Sequence, residues 1–153
     1  MEELFELRTH IEEGRYADAL VLLGEMEEMS REDKINKIES FLDVLLIHLI
    51  KQHAEKRTTR SWDASVHNAL RQIEKTNKRR KAGGHYLSES ELRESVEESY
   101  RASLKYASVE AFGGAFDEME LARKVDESQI KRETLELILK AQALKKRAKD
   151  MLH

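Results

Sequence analysis

Apolar residues recur along this chain at spacings of three and four, the period of helices. Leu4, Leu7 and Ile11 share one face of a helix predicted over 2–13, with Gly14 as its left-handed stop. A second helix follows over about 15–29, with Tyr16, Leu20 and Leu23 as the stripe to be buried. Ser30, with Asp33 three residues on, is placed to cap a third helix over 31–56. There Ile35, Ile38, Leu42, Leu45 and Leu49 form one stripe, which Phe41, Leu46 and Ile50 widen. A helix apolar over so much of its circumference belongs in the middle of a bundle or at a subunit interface.

The segment KRTTRS interrupts this pattern, and Thr58, Thr59 or Ser61 can cap a helix carrying Trp62, Val66, Leu70 and Ile73. That helix ends in KTNKRRKAGG, cations in the last turns and then glycine, as helix termini prefer. LSESEL opens the next helix with a capping box from Ser88 to Glu91 and a staple between Leu87 and Leu92. Its predicted buried side is Leu92, Val96, Tyr100 and Leu104, beside a row of Ser95, Ser99 and Ser103 that either admits a close neighbour or is solvated. EAFGGAFDEM is a hinge-like break with Phe112 and Phe116 as anchors onto the core. Asp126 and Gln129 then cap a final helix, with Val125 and Ile130 as its staple. Ile130, Thr134, Leu137, Ala141, Leu144, Ala148 and Met151 alternate spacings of four and three, a three-heptad seam in a helix of about 26 residues, roughly 39 Å long. The expected fold is an all-α bundle of five or six helices around helix 31–56. Residues 1–110 form its core, 111–125 a connection, and 126–153 a C-terminal helix packed on the bundle or on a second chain.

Composition sharpens this picture. The chain has no proline and six glycines, too few for the many turns of a β-rich fold. It has no cysteine, which excludes disulfides and thiolate chemistry and fits a cytoplasmic setting. The start, MEELFELRTH, is acidic and amphipathic, unlike a targeting leader. The longest apolar run, FLDVLLIHLI, is too short to span a bilayer, so no membrane partner is expected. Charge is uneven: residues 1–50 carry 13 acidic and 5 basic side chains, and residues 51–81 carry 3 acidic and 10 basic. Such halves can pair within one molecule or across a dimer.

Three chemistries bear on these residues. His48 and His53 are five apart, about 140° around a helix, so they diverge and make poor co-ligands for a metal. His48 reads as a half-buried side chain hydrogen-bonded across the corner, and no metal or cofactor is expected. Arg71, Lys75, Lys78, Arg79, Arg80 and Lys81 could face phosphates, yet no aromatic interleaves them to stack on bases. They read first as a solvated, dipole-favoured helix end and second as a nucleic-acid contact. No nucleophile elbow or glycine-rich phosphate loop is present, so no catalytic residue is assigned. Arg60, Ser61 and Trp62 with His48 read as a structural corner, Trp62 wedged beside Leu45, Leu49 and Leu70.

At the same corner, His48, Leu49, Ile50 and Lys51, then Arg60, Ser61 and Trp62, the sequence resembles the domain of unknown function 29 family, abundant in cyanobacteria. The layout of residues 1–80 is similar to the family's front half, and the resemblance extends to about residue 110. Gln52 stands where members usually carry tryptophan. The proline-free helix 126–152 replaces their commonly acidic tail, so the ending takes nothing from the resemblance. The resemblance implies an all-helical domain of unassigned activity. The function expected is a non-enzymatic scaffold or protein-interaction module that forms a homodimer. Its contact residues are sought along Ile130, Leu137, Leu144 and Met151; the alternative is a nucleic-acid-associated protein using 71–81.

Overall fold

The computed structural model describes residues 2–79 and 83–151, apart from the side chains at 145, 146 and 148–150. Among these residues the fold is all-α: α1 Glu2–Glu12, α2 Tyr16–Glu55, α3 Arg60–Asn77, α4 Glu89–Glu110, α5 Glu118–Ala122 and α6 Glu127–Met151. A 3₁₀ turn, Ala111–Gly114, follows α4.

The helices predicted over 15–29 and 31–56 are one. α2 runs unbroken for 40 residues, about 60 Å. Ser30 does not cap a new helix. The run from Glu25 to Lys37 holds no proline or glycine, and Glu, Met, Lys and Arg favour the helix. One serine inside it costs only about half a kcal/mol, and Glu27–Arg31 and Asp33–Lys37 are spaced to offset that.

The C-terminal half of α2 is the spine of the bundle. Ile38, Leu42, Leu45, Leu46, Leu49 and Ile50 are buried, as the stripe predicted. α3 and α4 flank this half, and α6 closes the remaining side in contact with all three. Four contacts fix the directions. Arg31–Glu91 and Lys51–Glu110 show that α4 runs parallel to α2, while His53–Glu133 and Asn77–Gln142 show that α6 runs against α2 and alongside α3.

Local signals account for the joints. Thr59 caps α3 by accepting the Trp62 N–H at 3.0 Å. The capping box of Ser88 and Glu91 forms, and its staple residues Leu87 and Leu92 are both buried. Asp126 accepts the Gln129 N–H at 3.2 Å and starts α6. In the connection, Phe112, Gly113 and Gly114 all have positive φ. A Cβ at Gly114 would sit 3.0 Å from the Val109 carbonyl oxygen, so the turn needs glycine there. Phe112 and Phe116 pack edge-to-face on each other at 5.1 Å, and the buried anchors of this stretch are instead Ala111 and Leu121. α5, with its own capping box from Asp117 to Glu120, went unpredicted.

The first 34 residues are an arm. α1 folds back through Gly14 onto the first turns of α2, and the buried cluster begins only at Ile38, with Ile35 packed against it. The least exposed line of α2 along the arm is Ala19, Leu22 and Met26. The predicted stripe lies one step around the helix and is open: Tyr16 is 65%, Leu20 69% and Leu23 39% exposed. Periodicity identified the apolar face, but none of the described residues covers it.

Candidate functional site

The corner between α2 and α3 gathers several of the residues that the sequence marked for chemistry. His48 is half-buried, and its Nδ1 donates to the Val44 carbonyl at 2.8 Å, a bond within its own helix rather than across the corner. Because a carbonyl only accepts, Nδ1 carries the proton. His53 lies one further turn along and a different way round, and its Nε2 is 2.6 Å from Glu133 of α6. His67 is exposed on α3. Among the described residues no three His, Asp or Glu side chains group as metal ligands.

Trp62 is half-buried between two cations. Lys51 Nζ lies 4.6 Å from the ring centroid and the Arg57 guanidinium carbon 4.8 Å. The ring expected as an apolar wedge thus also stacks with cations. Lys51, 6% exposed, also pairs with Glu110 at 2.8 Å, so its charge is held between a carboxylate and an indole face. Thr58 donates to Asp63 at 2.8 Å and accepts from Gln52 at 2.9 Å, which closes the outer side of the corner. Arg60 and Ser61 open α3 and are exposed.

The basic helix end divides. Arg71 and Lys75 are exposed on α3 and Lys78 is half-buried; Arg80 lies outside the described residues, as does Lys81. Arg79 stacks over Tyr86 at 5.8 Å, an aromatic partner supplied by the α3–α4 connection. Both line a cleft of about 580 Å³ whose opposite wall is α2, with Glu27 and Glu28. The connection itself is pinned by buried Asn77, which donates to the Leu87 carbonyl and to Gln142 and accepts the Leu87 N–H at 2.7 Å.

The C-terminal seam changes character along its length. Ile130, Thr134 and Ile138 are buried, so the face packed into the bundle repeats every four residues. Thr134 satisfies its hydroxyl on the Ile130 carbonyl at 2.7 Å. Leu137 is half-buried, whereas Leu144 and Met151 are exposed and the Ala148 side chain lies outside the description. Near the start of α6, Lys131 is half-buried. Burial opposes its charge, but hydrogen bonds to Glu97 and Glu127 outweigh that and raise it above the usual lysine range.

The sequence reading did not mark the arm as a site. Two stripes flank its helix–helix seam, Leu4 and Ile11 on α1 and Tyr16, Leu20 and Leu23 on α2. Measured from the less exposed lines, Leu7 and His10 on α1 and Ala19, Leu22 and Met26 on α2, each is offset by roughly 80–90° in the same rotational sense. In an antiparallel hairpin both the axis and the seam direction reverse, so equal offsets put both stripes on one side. The signal was present: an apolar stripe inside the most acidic part of the chain.

The sequence matches the model of one family, described as "Domain of unknown function DUF29", over residues 9–135. The match reaches into α6, further than residue 110. No curated protein and no solved structure matches the chain.

Proposed function

The chain belongs to the domain of unknown function DUF29 family, and from that premise, which carries no activity with it, we propose that it is a non-enzymatic scaffold of the cytoplasm that associates with a second copy of itself. The observation that carries this reading is the uncovered side of the arm, where five large apolar residues stand 39–69% exposed on two adjoining helices. Soluble monomers rarely leave such a surface open, and symmetric pairing is the commonest way to close it. The corner favours the same reading. Lys51 is engaged with Trp62 and Glu110, and His53 with Glu133, as in structural joints. No helix among the described residues is long and apolar enough to cross a membrane.

Sedimentation equilibrium tests the proposal. A mass near twice that of the chain is expected, and a monomeric mass at high micromolar concentration overturns it. The nucleic-acid reading is the weaker one. Arg79 and Tyr86 could receive a phosphate and a base, but Glu27 and Glu28 line the same cleft and would repel the backbone.

A further inference from the structure

We propose that the apolar side of the arm is the seat for the C-terminal end of α6 from a second copy, and that two copies exchange this contact reciprocally. The inference rests on the self-association reading and names the two surfaces that meet.

Direction comes first. The pair His53–Glu133 sets the start of α6 beside the end of α2, and Asn77–Gln142 sets its later turns beside the end of α3. That is the end of the bundle from which the arm departs, since Arg79 shares a cleft with Glu27 and Glu28, and Arg31 pairs with Glu91. Beyond Gln142, α6 continues for another nine residues, about 13 Å. The arm and the tail therefore leave the same end of the molecule.

Neither is closed by the described residues of its own chain. Leu144 is 55% and Met151 86% exposed, and their spacing of seven puts them on one face, the kind of ridge a helix offers to a partner. The arm's stripe repeats at the matching helical spacing through Tyr16, Leu20 and Leu23. Both surfaces are open in one molecule and both are apolar lines on helices.

Charge selects the pairing. Residues 2–29 carry nine carboxylates against two arginines, and residues 140–151 carry five cations against one carboxylate. Arm against arm, or tail against tail, sets like charges together. Arm against tail is complementary in charge as well as in apolar content. A two-fold axis at this end of the bundle makes the contact twice, each copy giving its tail and receiving the other's.

The natural absence of cysteine makes a direct test possible. Two single-cysteine chains, Leu20→Cys and Leu144→Cys, are mixed, treated with a short bis-maleimide and read by denaturing electrophoresis. The wild type is run by sedimentation equilibrium alongside. A dimeric wild type, with covalent dimers formed in the mixture far more than by either chain alone, is the expected result. A dimeric wild type whose Leu20→Cys chains link to each other, or whose mixture does not link, overturns this contact and leaves self-association standing. A monomeric wild type removes both. Arg147→Glu gives an independent reading: it should weaken the dimer roughly tenfold, and unchanged dimer affinity also overturns the contact.

Discussion

The carboxylate of Glu55 accepts the backbone N–H of Phe112 at 3.2 Å, across 57 residues of chain. Its other oxygen accepts from Arg57 at 3.0 Å, and the side chain is only 10% exposed. Lys56, next to it, and Phe112 are the two non-glycine residues with positive φ among those described, at 54° and 53°. Such conformations cost on the order of 1–3 kcal/mol each and persist only where their surroundings impose them. Glu55 is the residue that ties both strained points together.

Two substitutions separate the tie from the strain. Glu55→Ala removes a charged acceptor from a backbone N–H and should cost about 2 kcal/mol. Lys56→Gly relieves the left-handed penalty and should stabilise by about 1 kcal/mol. Urea unfolding measures both, and a neutral Glu55→Ala would show that the joint holds without the tie.

Lys51 over Trp62 gives a second expectation. Lys51→Met keeps the aliphatic stem and removes the cation from the indole and from Glu110. The expected loss is about 1 kcal/mol, with a shift in tryptophan emission. Trp62 is the only tryptophan, so its emission reports this corner alone. An unchanged spectrum would contradict the stack.

How far the sequence could reach depends on how local each signal is. The spine was legible because Ile38, Leu42, Leu45 and Leu49 repeat over several turns, and packing enforces that repeat. The cap at Ser88 was legible, and that of α3 was narrowed to Thr58, Thr59 or Ser61, because each needs only a hydroxyl and an amide three residues on. Ser30 carries the same local pattern without ending anything, since a cap forms only where the chain has another reason to turn. Tyr16, Leu20 and Leu23 report which side of α2 is apolar, and that says nothing of whether a neighbour reaches it. The Lys51–Trp62 stack joins residues on two helices across a corner, and no periodicity encodes it. A lysine directly after the apolar run, one turn on from Ile47, was the available hint.

The hydroxyl of Tyr100 is buried in α4 without a hydrogen-bond partner among the described residues, in a side chain 2% exposed. Burial, with the negative charges of Glu127 and then Asp126, pushes its ionisation up to about 12. A pKa raised in the fold means stability that is full below the ordinary tyrosine value of 10.0 and is lost as pH rises from there through about 12. Tyr100→Phe removes the unsatisfied group and should gain about 1 kcal/mol near neutrality. It should also flatten the alkaline decline, which thermal unfolding across that range would reveal. A destabilised Tyr100→Phe would mean that the hydroxyl has a partner.

Asp43 supplies the acid-side counterpart. It sits half-buried on the spine facing α4, where burial raises its pKa above 3.8 and the hydrogen bond from Ser99 only partly restores it. The folded chain therefore holds this proton more tightly than the unfolded chain does. Its stabilising share is complete below 3.8 and disappears as pH rises through the elevated folded value, so at neutrality the ionised carboxylate works against the fold. Asp43→Asn keeps a polar partner for Ser99 and never ionises. It should be more stable than the wild type near pH 7, with the gap narrowing on acidification and closing below the ordinary aspartate range. Paired urea titrations at neutral and acidic pH read this directly. If the variant is the less stable one at neutrality, the charge on Asp43 is being used by a partner, and Ser99, the residue that already contacts it, is the first place to look.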